Sequence, residues 1–114
     1  MNPIVSIKSN GVIWLNPHCF ELFFSGVSFV SLLYDEVDGS VMIIPCELGL
    51  LCSLKGIFKV AYRKTWKCGV ISAKMFFDRI LLKSDYCGQY IPVWDDEFSL
   101  LRIPLKERFK EDAN

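Results

Sequence analysis

Residues Gly11 to Pro45 have the sequence GVIWLNPHCFELFFSGVSFVSLLYDEVDGSVMIIP, and this stretch decides the fold. A short apolar strand precedes Asn16-Pro17, where asparagine is a favourable N-cap and proline at the first helical position loses no hydrogen bond. A later apolar run leads to Asp38-Gly39, a strong hairpin signal because glycine tolerates positive φ. The stretch therefore predicts strand, helix, strand, turn and strand, in that order.

A looser copy of this pattern runs from Gly69 to Pro104, with the sequence GVISAKMFFDRILLKSDYCGQYIPVWDDEFSLLRIP. The two stretches share a candidate helix N-cap, a phenylalanine after it, an aromatic residue followed by two acids, and an Ile-Pro strand end. The corresponding pairs are Asn16 and Ser72, Phe20 and Phe76, Tyr34 and Trp94, and Ile44 and Ile103. The second stretch has no glycine in its turn. We predict an internal duplication of βαββ units, and chance similarity of two such units is the alternative.

At 114 residues the chain predicts one domain with a modest core. The expected class is mostly β with two short helices (α+β). We expect repeats at about 4–45 and 58–105, a connector over 46–57 and a polar tail over 106–114. Strands are expected over 4–8, 12–15, 29–34, 41–44, 58–66, 90–94 and 100–105, and helices over 17–24 and 73–82. Because proline cannot donate to a ladder, Pro92 predicts an edge strand or a bulge.

The apolar phase of each expected element predicts the core, since burial of such side chains is the main stabilising term. The residues expected to be mostly buried are Trp14, Phe20, Phe23, Leu32, Ile43, Val60, Phe76, Ile80, Val93 and Ile103.

The five cysteines form no C-x-x-C pair, and the chain has one histidine. A zinc site therefore has few available ligands. We expect free thiols in a reducing cytoplasm and no cofactor, with a metal or disulfide role as the alternative. The most apolar run, Val41 to Leu54, contains Pro45 and Glu47 and is too short to span a bilayer, so no membrane partner is expected.

Charge is unevenly placed although the formal net charge is zero. Residues 1–54 carry a net charge of −4, whereas residues 55–83 carry +7. Such asymmetry indicates a basic surface for phosphates or for an acidic partner, and a solvated strand and helix face is the plain structural alternative.

The segments IVSIKSNGVIWLNPHCFELF and FVSLLYDEVDGSVMIIP together resemble the AbrB-type swapped-hairpin domain (MazE/SpoVT/MraZ-like) over about residues 4–45, and residues 58–105 resemble it more loosely. The resemblance implies that two βαββ units interlock their hairpins to close one small barrel with pseudo-two-fold symmetry. Tandem copies, as in MraZ-like members, would supply both halves from one chain. It also implies DNA binding and transcription regulation. The helix differs from the family pattern in being rich in phenylalanine, and the first copy carries only Lys8 in its first strand and turn.

No nucleophile elbow, phosphate loop, dinucleotide fingerprint or zinc-protease motif occurs, so we expect no enzymatic activity. We predict a small nucleic-acid-binding regulator whose expected partner is DNA. A protein–protein interaction module of antitoxin or adaptor type, or a homo-oligomer, is the alternative. The residues expected to contact phosphates are Lys59, Arg63, Lys64 and Lys67, with Lys55 and Lys74 contributing. One convex strip of these cations favours nucleic acid, whereas dispersion or pairing with acids favours a protein partner.

Overall fold

The computed structural model describes residues 2–46, 56–80 and 86–109. These residues form nine strands and two short helices, and the mostly-β class with two short helices is confirmed. The strands are β1 (Val5–Ile7), β2 (Val12–Leu15), β3 (Phe29–Asp35), β4 (Ser40–Cys46), β5 (Ile57–Arg63), β6 (Cys68–Ser72), β7 (Gly88–Tyr90), β8 (Val93–Asp95) and β9 (Leu100–Pro104). Most of the predicted connector, the end of the second predicted helix and most of the predicted tail lie outside the described residues.

All nine strands belong to one antiparallel sheet with the order β7-β1-β2-β6-β5-β3-β4-β9-β8. Its two end strands, β7 and β8, are consecutive in the chain and are joined by Ile91 and Pro92 alone. Three Cα steps join Tyr90 to Val93, so these edges lie within about 11 Å. Because nine flat strands would extend about 38 Å between the outermost strands, the sheet must curl, and it forms a half-barrel.

The first helix begins as predicted, at Pro17, and is capped by Asn16. The Cys19 N–H donates a 2.8 Å hydrogen bond to Asn16 Oδ1, which satisfies one of the free donors of the first turn. After the short α1 (Pro17–Cys19) the chain continues as a π-helix over Phe20–Phe24, called here the π segment. This wider turn buries Phe24, while Phe20 and Phe23 pack against the core from its rim.

The β3–β4 and β8–β9 hairpins are closed by turns of equal length and similar hydrogen bonding. In each turn an aspartate Oδ1, of Asp35 or Asp95, accepts hydrogen bonds from the backbone N–H groups two and three residues later. The last residue of each turn has positive φ, +74° at Gly39 and +52° at Ser99. The second turn therefore forms without glycine, and Ser99 adopts a conformation that side chains disfavour.

The predicted strand over 90–94 is broken into β7 and β8 at Ile91 and Pro92, and both parts are edge strands, as Pro92 predicted, although the break itself was not predicted. The break sets the phase of β8, so that Trp94 faces the π segment and stacks on Phe23 at 4.9 Å. The preceding residue, Val93, then points outward and is 55% exposed. Its predicted burial was wrong, because the pattern of the intact strand does not continue through the break.

The core lies between the inner face of the curled sheet and the two helices. Of the predicted core residues, those that are buried are Leu32, Ile43, Val60, Phe76 and Ile103. Those that are only partly buried are Trp14, Phe20, Phe23 and Ile80. Trp14 differs from its strand neighbours because successive side chains alternate, so that Ile13 and Leu15 occupy the inner face and Trp14 the outer one.

The second helix, α2 (Lys74–Ile80), begins one residue later than predicted. The Phe77 N–H bonds to the Ala73 carbonyl, so Ala73 rather than Ser72 lies at the N-cap position. Phe76 and Phe77 are buried against the sheet. Within the described ranges, no helix has the length and apolar character needed to cross a membrane.

Candidate nucleic-acid interface

The β5–β6 hairpin carries most of the predicted phosphate-binding residues. In β5 the side chains alternate, which places Lys59 and Arg63 on the outer face and Val60 on the inner face. The strand ends at Arg63, and the four residues 64–67 turn the chain into β6. The predicted strand end at Trp66 was therefore too late. The turn gathers Arg63, Lys64 and Lys67 at one tip, with Lys59 about 13 Å along the strand from Arg63.

These cations are exposed and form no ion pair with an acid among the residues that the structure describes. The reason lies in the sequence, because β1, β2, β5 and β6 contain no aspartate or glutamate. Uncompensated cations on an outer sheet face are the arrangement expected of a phosphate-binding surface.

Alternation continued from Lys59 and Arg63 would place Lys67 on the outer face, but the structure does not place it there. It has φ of +53°, so the chain reverses there and the side chain leaves the outer face. It lines a second groove of about 520 Å³, bounded by the π segment and β5, together with Tyr62 and Glu21. The tip of the hairpin therefore presents cations to both sides of the sheet.

The structure separates Lys74 from the strip. Lys74 begins α2, beyond the far end of β6, about 13 Å or more from the 64–67 turn. Its ammonium donates to the Asp78 carboxylate at 2.9 Å, and this bond raises the pKa of Lys74. Lys55 lies outside the described residues.

Two tryptophans adjoin the strip, and their meeting could not be foreseen from their spacing in the chain. The β2–β6 pairing brings Trp14 beside the β5–β6 turn, where its ring meets Trp66 at 5.8 Å and 60°. Trp66 is 62% exposed. The two indoles border an outer groove of about 360 Å³, called here the tryptophan groove, which Lys8, Ser6 and Cys68 also line.

Arg63 lies beside this groove on β5, because it is the direct cross-strand partner of Cys68. Burial raises the pKa of the Cys68 thiol, and the nearby Arg63 charge offsets part of that rise. A thiol held protonated in this way is a weak nucleophile at neutral pH, so Cys68 contributes surface rather than chemistry to the groove.

Tyr62 faces the opposite side of the sheet from Arg63. Its ring packs on Phe20 of the π segment at 5.0 Å, and Phe20 in turn covers Gly69. A Cβ on Gly69 would lie 2.6 Å from Phe20 Cδ1, so only glycine allows this close approach. Tyr62 is thus a supporting contact for the hairpin.

The acids gather at the other hairpin turns. Arg102 on β9 lies between Asp35 and Asp95, at 3.4 and 3.5 Å, and Asp38 is 3.8 Å away. The largest effect on Asp35 is the hydrogen bond from the Asp38 N–H, which lowers the pKa of the carboxyl, and Arg102 lowers it further. This cluster joins two hairpins and keeps Asp35, Asp38 and Asp95 away from the basic tip, whereas Glu21 shares the second groove with Lys67.

Among the residues that the structure describes, the cysteines form no disulfide bond; they are Cys19, Cys46, Cys68 and Cys87. Burial raises the pKa of Cys19 to about 12. No group of three His, Cys, Asp or Glu side chains within residues 2–46, 56–80 and 86–109 is placed to hold a metal ion. Cys52 lies outside these ranges.

No protein-family description, curated protein or solved structure matches this chain.

Proposed function

We propose that this protein is a small nucleic-acid-binding regulator that contacts phosphates through the β5–β6 hairpin. One observation carries the proposal. Lys59, Arg63 and Lys64 are exposed, unpaired with any described acid, and placed on a half of the sheet whose strands contain no carboxylates. Three Lys or Arg side chains spaced over the outer face of one strand and its turn suit a phosphate backbone, which repeats one charge per nucleotide.

The strand pairing supports an AbrB-type, duplicated architecture for this regulator. Leu33 pairs with Met42 in the first hairpin, and Val93 pairs with Arg102 in the second. The residue numbers of the second pair exceed those of the first pair by 60. The next two residue pairs of each hairpin differ by the same 60 positions.

The order of the strands adds a second argument. In our proposal the two units are β1–β4 and β5–β9, with β7 and β8 as two parts of one strand. The first strand of each unit then pairs with the hairpin of the other, since β1 pairs with β7 and β5 pairs with β3. This exchange is what a swapped-hairpin barrel with pseudo-two-fold symmetry requires.

Salt dependence of binding is the most direct test. Three phosphate contacts, from Lys59, Arg63 and Lys64, give a log–log salt slope of about −2.7 on duplex DNA and about −2.1 on a single strand. Fluorescence anisotropy with labelled oligonucleotides of mixed sequence, at several KCl concentrations, measures it. We expect the double variant Arg63→Gln/Lys64→Gln to flatten the duplex slope by about 1.8, with little change in the melting temperature.

A matched control removes the same charge elsewhere. Lys74→Gln/Arg79→Gln changes two exposed cations of α2, and we expect its salt slope to equal that of the wild type. Equal flattening by both double variants would mean that net charge, rather than the hairpin, drives binding.

If the wild-type protein binds no DNA or RNA at low salt, the proposal is wrong. The exposed Leu33 and Val93 on the outer face of the β3–β4–β9–β8 sheet would then favour a protein partner.

A further inference from the structure

The tryptophan groove has a feature that phosphate contacts alone do not explain, namely a large aromatic side chain held out at the tip of a turn. We infer that unpaired bases stack on Trp66, so that the ligand of this site is single-stranded nucleic acid rather than duplex. The inference rests on the proposed function and specifies its substrate class.

Trp66 has the support that a stacking platform needs. It sits in the 64–67 turn, whose two ends are fixed by the pairing of Arg63 with Cys68. The edge-to-face contact with Trp14 holds the indole from one side, while 62% of the residue stays in solvent. A base stacked on this ring buries the apolar surface of Trp66 that the folded chain leaves exposed to solvent. Any base can stack in this way, because every base has a π face.

The charges around Trp66 suit a strand that passes over it. Lys8 lines the groove on one side, and Arg63 and Lys64 lie on the other at the end of β5. Phosphates before and after a stacked base would meet cations on both sides. Charge complementarity therefore favours an anionic ligand over an uncharged aromatic one.

The polar groups of the groove are too few to identify a base. Asn16 lines it, but its Oδ1 already accepts from the N–H groups of Cys19 and Ile4, and its Nδ2 donates to the Asn2 carbonyl. Ser6 offers one hydroxyl. We therefore expect stacking with weak sequence preference.

A duplex fits this platform poorly. Its base faces are covered by neighbouring bases, and exposing one requires unstacking and unpairing, a cost that an unpaired strand does not bear. The same cations can still contact duplex phosphates, so the difference between the two ligands isolates the contribution of the tryptophan.

The test compares a labelled 12-nucleotide oligo-dT with a 12-base-pair duplex by fluorescence anisotropy at one salt concentration. The variants are Trp66→Ala, Trp66→Phe and the matched control Phe98→Ala. Phe98 is 61% exposed and holds the same third position in the four-residue β8–β9 turn, among acids.

We expect the wild type to bind oligo-dT at least tenfold more tightly than the duplex. Trp66→Ala should weaken oligo-dT binding by roughly 5- to 150-fold and duplex binding by less than about twofold. Trp66→Phe should retain most of the affinity, and Phe98→Ala all of it. Saturating oligo-dT should also quench the tryptophan emission of the wild type, a measurement that needs no variant to fold.

The results separate the two proposals. Equal binding of both oligonucleotides, unaffected by Trp66→Ala, or saturation without quenching, overturns base stacking and leaves the phosphate-binding proposal in place. Absence of binding to either oligonucleotide at low salt overturns both.

Discussion

Gly69 shows how one missing side chain positions the candidate site. Phe20 lies directly over it and also packs on Tyr62, so the glycine lets the π segment press against the β5–β6 hairpin. The hairpin that carries the cations is therefore anchored from its inner face by an aromatic contact. This anchoring leads to a prediction that needs no ligand.

Gly69→Ala should destabilise the fold by about 1–3 kcal/mol, because its methyl group would meet Phe20 at 2.6 Å and Leu15 at 3.2 Å. Urea denaturation followed by circular dichroism measures the loss. The double variant with Phe20→Leu should show favourable coupling, since the shorter side chain makes room for the methyl group. A loss within about 0.5 kcal/mol for the single variant would contradict the packing described here.

Ser99 gives the opposite prediction at the same scale. Its φ of +52° costs a non-glycine residue about 1–2 kcal/mol, against about 0.5–1 kcal/mol for the extra chain entropy of glycine. Ser99→Gly should thus raise the stability by about 0.5–1 kcal/mol in thermal melts. The reciprocal change Gly39→Ser, at the same turn position, should lower it. Both variants shifting the melting temperature in the same direction would contradict the shared turn geometry.

At the scale of elements, Arg102 connects strands that lie far apart in the sequence. It lies on β9 and reaches Asp95 on the neighbouring β8 and Asp35 at the end of β3. The pKa of Asp35 is lowered in the folded chain, mainly by the Asp38 N–H and further by Arg102. The carboxylate therefore stabilises the fold above its unfolded pKa of about 3.9, and this contribution is lost as the pH falls through the folded value.

Asp35→Asn tests this linkage while keeping an Oδ1 acceptor for the turn. The variant should be less stable than the wild type at pH 7, and the difference should shrink below about pH 4, as Asp35 of the wild type becomes protonated. Urea midpoints at pH 7 and pH 3 measure it. A difference that is the same at both pH values would show that the charge of Asp35 has no role in the hairpin junction.

At the scale of the whole molecule, the sequence predicted the elements better than their partners. Local signals were sufficient for the cap at Asn16 and the hairpin at Asp38-Gly39, because both depend on residues close in the chain. The tryptophan groove was not predictable in this way. Trp14 and Trp66 meet only through the β2–β6 pairing, and such a register depends on packing across the sheet rather than on local pattern.

The side chains that lie on a different face from the one predicted have a similar explanation. The pattern of residues 90–94 places Val93 in the core only if the strand continues through Pro92, and it does not. The turn at Lys67 likewise redirects a side chain that continued alternation would place with Arg63. Side chains alternate between the two faces of a sheet only while the strand remains extended. After a break or a residue with positive φ, the faces of the following side chains can no longer be counted from the residues before it. Arg63 and Lys64 still lie together at the tip of the hairpin, because both precede the positive φ at Lys67.

The pairing of β1 with β7 also has a consequence for biosynthesis. Val5 lies opposite Tyr90, so this edge of β1 stays without its partner until residues 88–90 have been synthesised and have left the ribosome. Contacts of such long sequence separation form slowly, and an open strand edge can join another nascent chain in the meantime. Pairing of this edge is thus a late step in the folding of the chain, whichever elements form before it.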